Sequence, residues 1–181
     1  MRGVVNVDGI EPFLEYDIEY ENGLVIKKAF LADVKKKYDI IFYDNVFEHL
    51  ESPASDMMIA KSKLNMDGKI VCIFPGYGDM TRKFCGNSYI IQPPQHVALY
   101  TEQGIRSIAE RAELKVIEIK KTSIYEWYLK SYWIEKGLML TGKYYRIPEL
   151  EKKVHRKALS EIKKSVEKNK DGDFYTVAFG V

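Results

Sequence analysis

The chain has 181 residues, 46% of them hydrophobic and 30% charged, and its net charge is +2 at neutral pH. That length fits a single domain with one sizeable core, and the composition excludes a globally disordered chain. A charge so near zero gives no footing for a nucleic-acid partner. The one cationic concentration, Lys152 to Lys170, reads as a solvated helix face that includes His155. Two cysteines, Cys72 and Cys85, make neither a disulfide framework nor a metal-binding spacing, and point to a reducing cytoplasm. The chain opens without a signal-peptide pattern. Its apolar stretches fall far short of the ~20 residues that span a bilayer, so no membrane partner is expected.

Val4 to Ile10 is a short apolar run closed by Glu11-Pro12, a strand followed by a turn. Phe13 to Glu21 predicts a short helix stopped at Asn22-Gly23, and Leu24 to Phe30 a second strand. Tyr38 to Tyr43 is a third strand and almost wholly apolar, the pattern of a parallel strand covered on both faces. Ser52-Pro53 starts a helix, with Ser placed to cap free amides and Pro at the first helical position. Ala54, Met57, Met58 and Leu64 form its apolar face. Asp67-Gly68 ends that unit before a fourth strand, Lys69 to Pro75, and Gly76 to Pro94 reads as loop. Thr101 caps a helix whose Ile105, Ile108, Ala109 and Ala112 share one face, and Lys115 to Ile119 is a fifth strand. The aromatic stretch Tyr125 to Leu140 suits a substrate lid, a dimer face or plain packing against the sheet. Pro148 to Lys168 predicts an amphipathic helix and Phe174 to Val181 a last strand. Strands alternating with helices predict one α/β domain over residues 1–181. Its sheet is mostly parallel with an antiparallel C-terminal edge, and a helical insertion over 125–170 precedes the last strand.

Four segments carry a resemblance. Tyr38 to His49 reads Y-D-I-I-F-Y-D-N-V-F-E-H, and Leu50 to Pro53 reads L-E-S-P. Leu64 to Pro75 reads L-N-M-D-G-K-I-V-C-I-F-P, and Pro94 to Thr101 reads P-Q-H-V-A-L-Y-T. In order and spacing these resemble the class I S-adenosylmethionine-dependent methyltransferases. They match the family's fourth strand with its V-x-E-H segment, the loop after it, the next strand block, and the H-x-x-x-aromatic-Thr segment. The resemblance covers roughly Val5 to Ile119 and implies a Rossmann-like sheet. It also implies an N-terminally truncated start, on the family's second strand, without the first strand and its G-x-G-x-G turn. Glycines in such turns let the backbone approach the ligand closely, so S-adenosylmethionine binding is expected to be weak or lost. Glu113 stands where the family commonly has Gly. The missing central strand further predicts that its neighbours pair directly or that a second copy fills the gap, giving a homodimer or larger assembly.

The resemblance also places the candidate site. Glu11, in Gly9-Ile10-Glu11-Pro12, stands where the family's acid holds the ribose hydroxyls, a task suited to a carboxylate; otherwise it is a solvated strand end. Asp33 lies where an acid often meets the adenine, or is a turn residue before Lys35. Asp44, Asn45 and Val46 sit at the carboxyl end of the third strand, the edge where open α/β sheets bind ligands; Asp and Asn there also suit a turn. Some quinone O-methyltransferases of this family hold a divalent metal on E-x-x-E-H. Here the segment is Asn45-Val46-Phe47-Glu48-His49, and an amide in place of the first carboxylate predicts no metal. His49 is a candidate general base or a loop-bonded structural His, and His96 faces a substrate or orients its loop. The implied function is methyl transfer from S-adenosylmethionine to a small polar acceptor, such as a sugar or related metabolite. The competing readings are a non-catalytic remnant or interaction module, and a domain for another nucleotide.

Overall fold

The computed structural model describes residues 6–137, 139–140, 143–144, 152–153, 156–157, 160 and 172–181. Its centre is a four-stranded sheet in the order β4-β5-β9-β6, made of β4 (Tyr38–Asp44), β5 (Leu64–Pro75), β9 (Phe174–Gly180) and β6 (Lys115–Thr122). β4 and β5 pair in parallel, from Ile40 opposite Lys69 to Asp44 opposite Ile73. β9 slots between β5 and β6 and runs antiparallel to both, so three strands point one way and the last is reversed. This is the mixed α/β sheet expected. The reversed strand lies one place inside the edge, with β6 outermost.

Period-two alternation puts Ile70, Cys72 and Phe74 of β5 and Tyr175, Val177 and Phe179 of β9 on one face, all essentially buried. Two helices cover that face, α1 (Pro53–Ser62) and α3 (Glu102–Arg111). Met57 and Ala60 of α1 are fully buried, whereas Met58, a helical step of about 100° from Met57, is 53% exposed. Pro53 opens α1 as expected, but the Ser52 hydroxyl caps nothing. Thr101 does cap α3, accepting a hydrogen bond from the Gly104 N–H at 3.1 Å, and Ile105, Ile108, Ala109 and Ala112 all enter the core. Glu113, in the turn after α3, has φ +54°, the left-handed conformation that explains a glycine preference there.

The expectation that β4 is covered on both faces fails. Ile41 is buried, but Ile40 and Phe42 on the opposite face are 63% and 55% exposed. The outer edge of β4 pairs with no strand among the described residues. The strands before it form a separate small sheet, β1 (Gly9–Ile10), β3 (Val25–Lys27) and β2 (Ile18–Glu19), in the order β1-β3-β2. β1 and β4 therefore do not close up on one another. The short helix expected over Phe13 to Glu21 is replaced by turns and β2. Its side chains explain this, since Asp17 accepts the Lys28 N–H at 2.8 Å and Tyr20 pairs with Leu24 across the turn.

The segment expected as loop after β5 contains a helix, α2 (Asp79–Phe84). With α4 (Tyr125–Glu135) it forms a second apolar cluster, built from Met80, Phe84, Ile90, Tyr128, Leu129 and Tyr132. The aromatics of α4 thus pack inward. A two-strand ribbon follows, β7 (Met139–Leu140) with β8 (Lys143–Tyr144). Of the helix expected over 148–168, residues 152–153, 156–157 and 160 are helical and exposed. The remainder, His155 included, lies outside the described residues.

Candidate functional site

β4 ends where the Asn45 N–H donates to the Ile73 carbonyl at 2.8 Å and Asn45 turns to φ +50°. One 3-10 turn follows, Phe47–His49. Phe47 anchors it: its ring is fully buried, 4.7 Å from Phe74 and 5.1 Å from Tyr100. With Phe47 fixed inward, Glu48 and His49 line a cavity of about 280 Å³ beyond the carboxyl ends of β4 and β5. Asn45 and Pro75 line it from the strand ends, and Ile90, His96 and Trp127 from the other side.

Backbone bonds bring the two histidines together. The Glu48 carbonyl accepts from the N–H groups of Val97 at 2.9 Å and Ala98 at 3.3 Å. His49 Nδ1 lies 2.6 Å from the Gln95 carbonyl, and His96 Nδ1 2.7 Å from the Ile90 carbonyl. The rings stand edge to face, 5.1 Å apart. A carbonyl oxygen only accepts, so each Nδ1 carries a proton, and in the neutral form of either ring the lone pair lies on Nε2. The alternatives left open for these residues merge, since both histidines are tied to loop carbonyls and both line the cavity. Burial and the neighbouring His49 hold His96 below the usual imidazole range, against the Ile90 bond, which favours its charged form.

Glu48 is 1% exposed, with Oε1 3.8 Å from His49 Nε2 and Oε2 without a hydrogen-bond partner. Burial holds its carboxyl above the ordinary carboxylate range, while its own backbone N–H and His49 pull the other way.

The start of α2 depends on Asp173, a residue the sequence did not single out. Its buried carboxylate accepts from the N–H groups of Gly78, Met80 and Thr81 and from the Thr81 hydroxyl, at 2.7–3.0 Å. It thereby caps α2 from 92–95 residues away, a distance at which no local signature exists. Burial raises its carboxyl, opposed by those four donors.

Other expected site residues lie elsewhere. Glu11 and Asp33 do not line the cavity. Glu11 Oε1 accepts the Phe13 N–H at 3.0 Å, and Asp33 Oδ2 the Phe30 N–H at 3.3 Å, both local turn bonds. Asp44 is exposed and accepts from the Asn45 amide at 2.8 Å. Val46 is 36% exposed and, like Asp44, sits beside the cavity's strand-end wall without lining it.

A sequence model described as a methyltransferase domain matches residues 2–119. The chain belongs to this methyltransferase family. No curated protein matches the sequence. Among solved structures, the chain is similar to the mycolic acid cyclopropane synthase CmaA1 complexed with SAH and CTAB, at 14% identity and TM-score 0.49, over 86% of this chain and 60% of that one. It is similar to the cyclopropane synthase MmaA2 of Mycobacterium tuberculosis, at 11% identity and TM-score 0.48, over 91% and 62%. A third is the O-methyltransferase of a trans-AT PKS multienzyme of Brevibacillus brevis in complex with S-adenosyl-L-homocysteine, at 14% identity and TM-score 0.48, over 85% and 48%. The methyltransferase chain described here spans less than two thirds of the length of each. No helix among its described residues is long and apolar enough to cross a membrane.

Proposed function

We propose that this methyltransferase domain transfers a methyl group from S-adenosylmethionine to the oxygen or nitrogen of a small polar acceptor, such as a sugar or related metabolite. The observation that carries the reading is the cavity at the carboxyl edge of β4 and β5, walled by two histidines whose Nδ1 atoms are held by loop carbonyls. Ligands of open α/β sheets bind at that edge. S-adenosylmethionine, when bound, supplies a methyl group already activated on a sulfonium. The chain's own part is to hold the acceptor in line and receive its proton. Asp44, Asn45 and Val46 are placed to meet the amino-acid end of the cofactor. Glu11 is the carboxylate assigned to its ribose, in exchange for its present bond to Phe13. His49 Nε2, which has the Glu48 carboxylate 3.8 Å from it, takes the acceptor's proton as the acceptor–methyl bond forms and the methyl–sulfonium bond breaks to release S-adenosylhomocysteine, and His96 orients the acceptor.

The test is transfer of labelled methyl from S-adenosylmethionine to a panel of sugars and hydroxylated metabolites, with calorimetric titration of S-adenosylhomocysteine alongside. Removing the base in His49→Ala lowers kcat by about 10²–10⁴-fold and leaves cofactor affinity unchanged. One observation favours a second reading, a non-catalytic interaction module: the Glu11 and Asp33 carboxylates are engaged in local turns away from the cavity. Absence of any S-adenosylhomocysteine binding selects that reading. For assembly, the open edge of β4 favours a second copy. Antiparallel self-pairing about Ile41 sets Ile40 against Phe42, and light scattering that shows a monomer at all concentrations removes this part of the proposal.

A further inference from the structure

One buried acceptor in the wall of the cavity, Glu48 Oε2, has no partner among the described residues. One ligand-capable atom from each of Glu48, His49 and His96 lies within 4.8 Å of the others. The two Nδ1 positions are occupied by backbone carbonyls, which leaves the Nε2 lone pairs, and Glu48 Oε2 is buried without a partner. Among the amides that line the same cavity, Asn45 Nδ2 donates to Asp44 at 2.8 Å and Gln92 Nε2 to the Tyr89 carbonyl at 3.1 Å. Burial of an unpartnered carboxylate oxygen beside two imidazoles is costly. A cation at their focus would relieve that cost.

We propose that Glu48, His49 and His96 form a three-ligand site for a divalent transition-metal ion, with zinc as the reference ion. Two imidazole nitrogens and one carboxylate oxygen suit such an ion better than magnesium or calcium, which favour oxygen donors. The imidazoles are already oriented by carbonyls on their far nitrogens, the arrangement that fixes tautomer and ring plane in metal-binding histidines. In a tetrahedral site with ligand bonds of about 2.1 Å, the ligand atoms stand roughly 3.4 Å apart. Glu48 Oε1 stands 3.8 Å from His49 Nε2 and the ligand-capable atoms of the cluster at most 4.8 Å apart, so that spacing needs a contraction of up to about 1.4 Å, within the reach of side-chain rotation. Three protein ligands leave a coordination position facing the cavity, as catalytic rather than structural zinc sites do. This site departs from the one weighed in the sequence, because Asn45 is turned aside to Asp44 and the third ligand arrives on a separate loop. Occupancy does not depend on the methyl-transfer reading; only a further step rests on it, in which the bound ion, with His49 Nε2 as its ligand and no longer as the base, would lower the pKa of the acceptor's oxygen so that its proton passes to water.

The experiment uses the full chain, stripped with a chelator, and no methyl donor or acceptor. Titration with Co²⁺ should develop visible absorption to one equivalent per chain, and Zn²⁺ should displace it. His96→Ala and Glu48→Gln should each weaken Co²⁺ binding by more than the ~10–100-fold that follows loss of an outer-shell partner. His155→Ala, which removes the remaining histidine of the three, should leave it unchanged. Circular dichroism of each variant checks the fold. Should a variant not fold, paramagnetically shifted ring N–H signals from two histidines in the Co²⁺-loaded wild type decide the ligands. Failure to take up Co²⁺ or Zn²⁺, binding that survives His96→Ala, a loaded wild type without those two ring signals, or equal competition by Mg²⁺ would overturn the proposal. Loss of methyl transfer with ion binding intact would count against the proposed function alone.

Discussion

Residues 6–37 and the sheet that follows them are built from similar side chains and reach opposite ends. From Asn6 to Lys37 no residue is buried, although Phe13, Tyr16, Tyr20 and Phe30 are all present, at 48–87% exposure. From Tyr38 onward, Phe47, Phe74, Tyr175 and Phe179 are all essentially enclosed. The difference lies in layering. The main sheet has two helices across one face, whereas the strands of the small sheet are two or three residues long. Apolar residues contribute to stability only where a second layer removes them from water. The cofactor residue expected in the first region, Glu11, accordingly has a solvent-accessible setting, while the histidines of the second are held by named carbonyls.

The widest contrast comes from paired truncations. Phe74→Ala should cost about 3–5 kcal/mol of unfolding free energy by urea titration, and Phe13→Ala within about 0.5 kcal/mol of nothing. Equal costs would mean that the first region is covered in solution. Asp173→Ala comes next. It strands three buried backbone donors and a hydroxyl, with an expected loss of about 3 kcal/mol and disruption of α2. Asp17→Ala, which frees one exposed N–H, should cost under about 1 kcal/mol. By hydrogen exchange, amides of β1 to β3 should exchange well before those of β5 and β9, and equal protection would erase the distinction.

The smallest effect lies at the junction. Asp8 accepts from Lys36 Nζ and the Tyr38 hydroxyl, both at 3.0 Å, and the Lys36 bond, followed by that from Tyr38, holds its carboxyl below the usual range. A depressed carboxylate contributes stability above its unfolded pKa of about 4 and loses it as pH falls through the lower folded value. Asp8→Asn should therefore bring early amide exchange in the small sheet at neutral pH and make no difference in strong acid. A variant that behaves alike at both extremes would show that Asp8 does not tie the two regions.

Local pattern made much of this legible. Thr101 with the apolar residues of α3 follows from periodicity and a capping residue within about ten positions, the parallel pair of β4 and β5 from the apolar run Tyr38 to Tyr43, and the reversed β9 from the long insertion before it. What escaped depends on distance along the chain. α2 was hidden because its cap is Asp173, and the exposed face of β4 because an apolar run reports tendency and not the presence of a covering layer. Glu48 and His49 were visible as a motif beside Asn45. His96 joins them through Glu48 and Gln95 carbonyl bonds that no spacing encodes.

The position of β9 sets an order on synthesis. β5 and β6 are neighbours of a strand that leaves the ribosome after both, so the sheet cannot close until Phe174–Gly180 has emerged. Asp173 immediately precedes that strand, and the same arrival that zips β9 into the gap also caps α2. Until then β5 and β6 expose edges open to unwanted pairing. The nascent chain is thus most vulnerable until β9 has emerged, and the capping of α2 falls in the same event that ends the exposure.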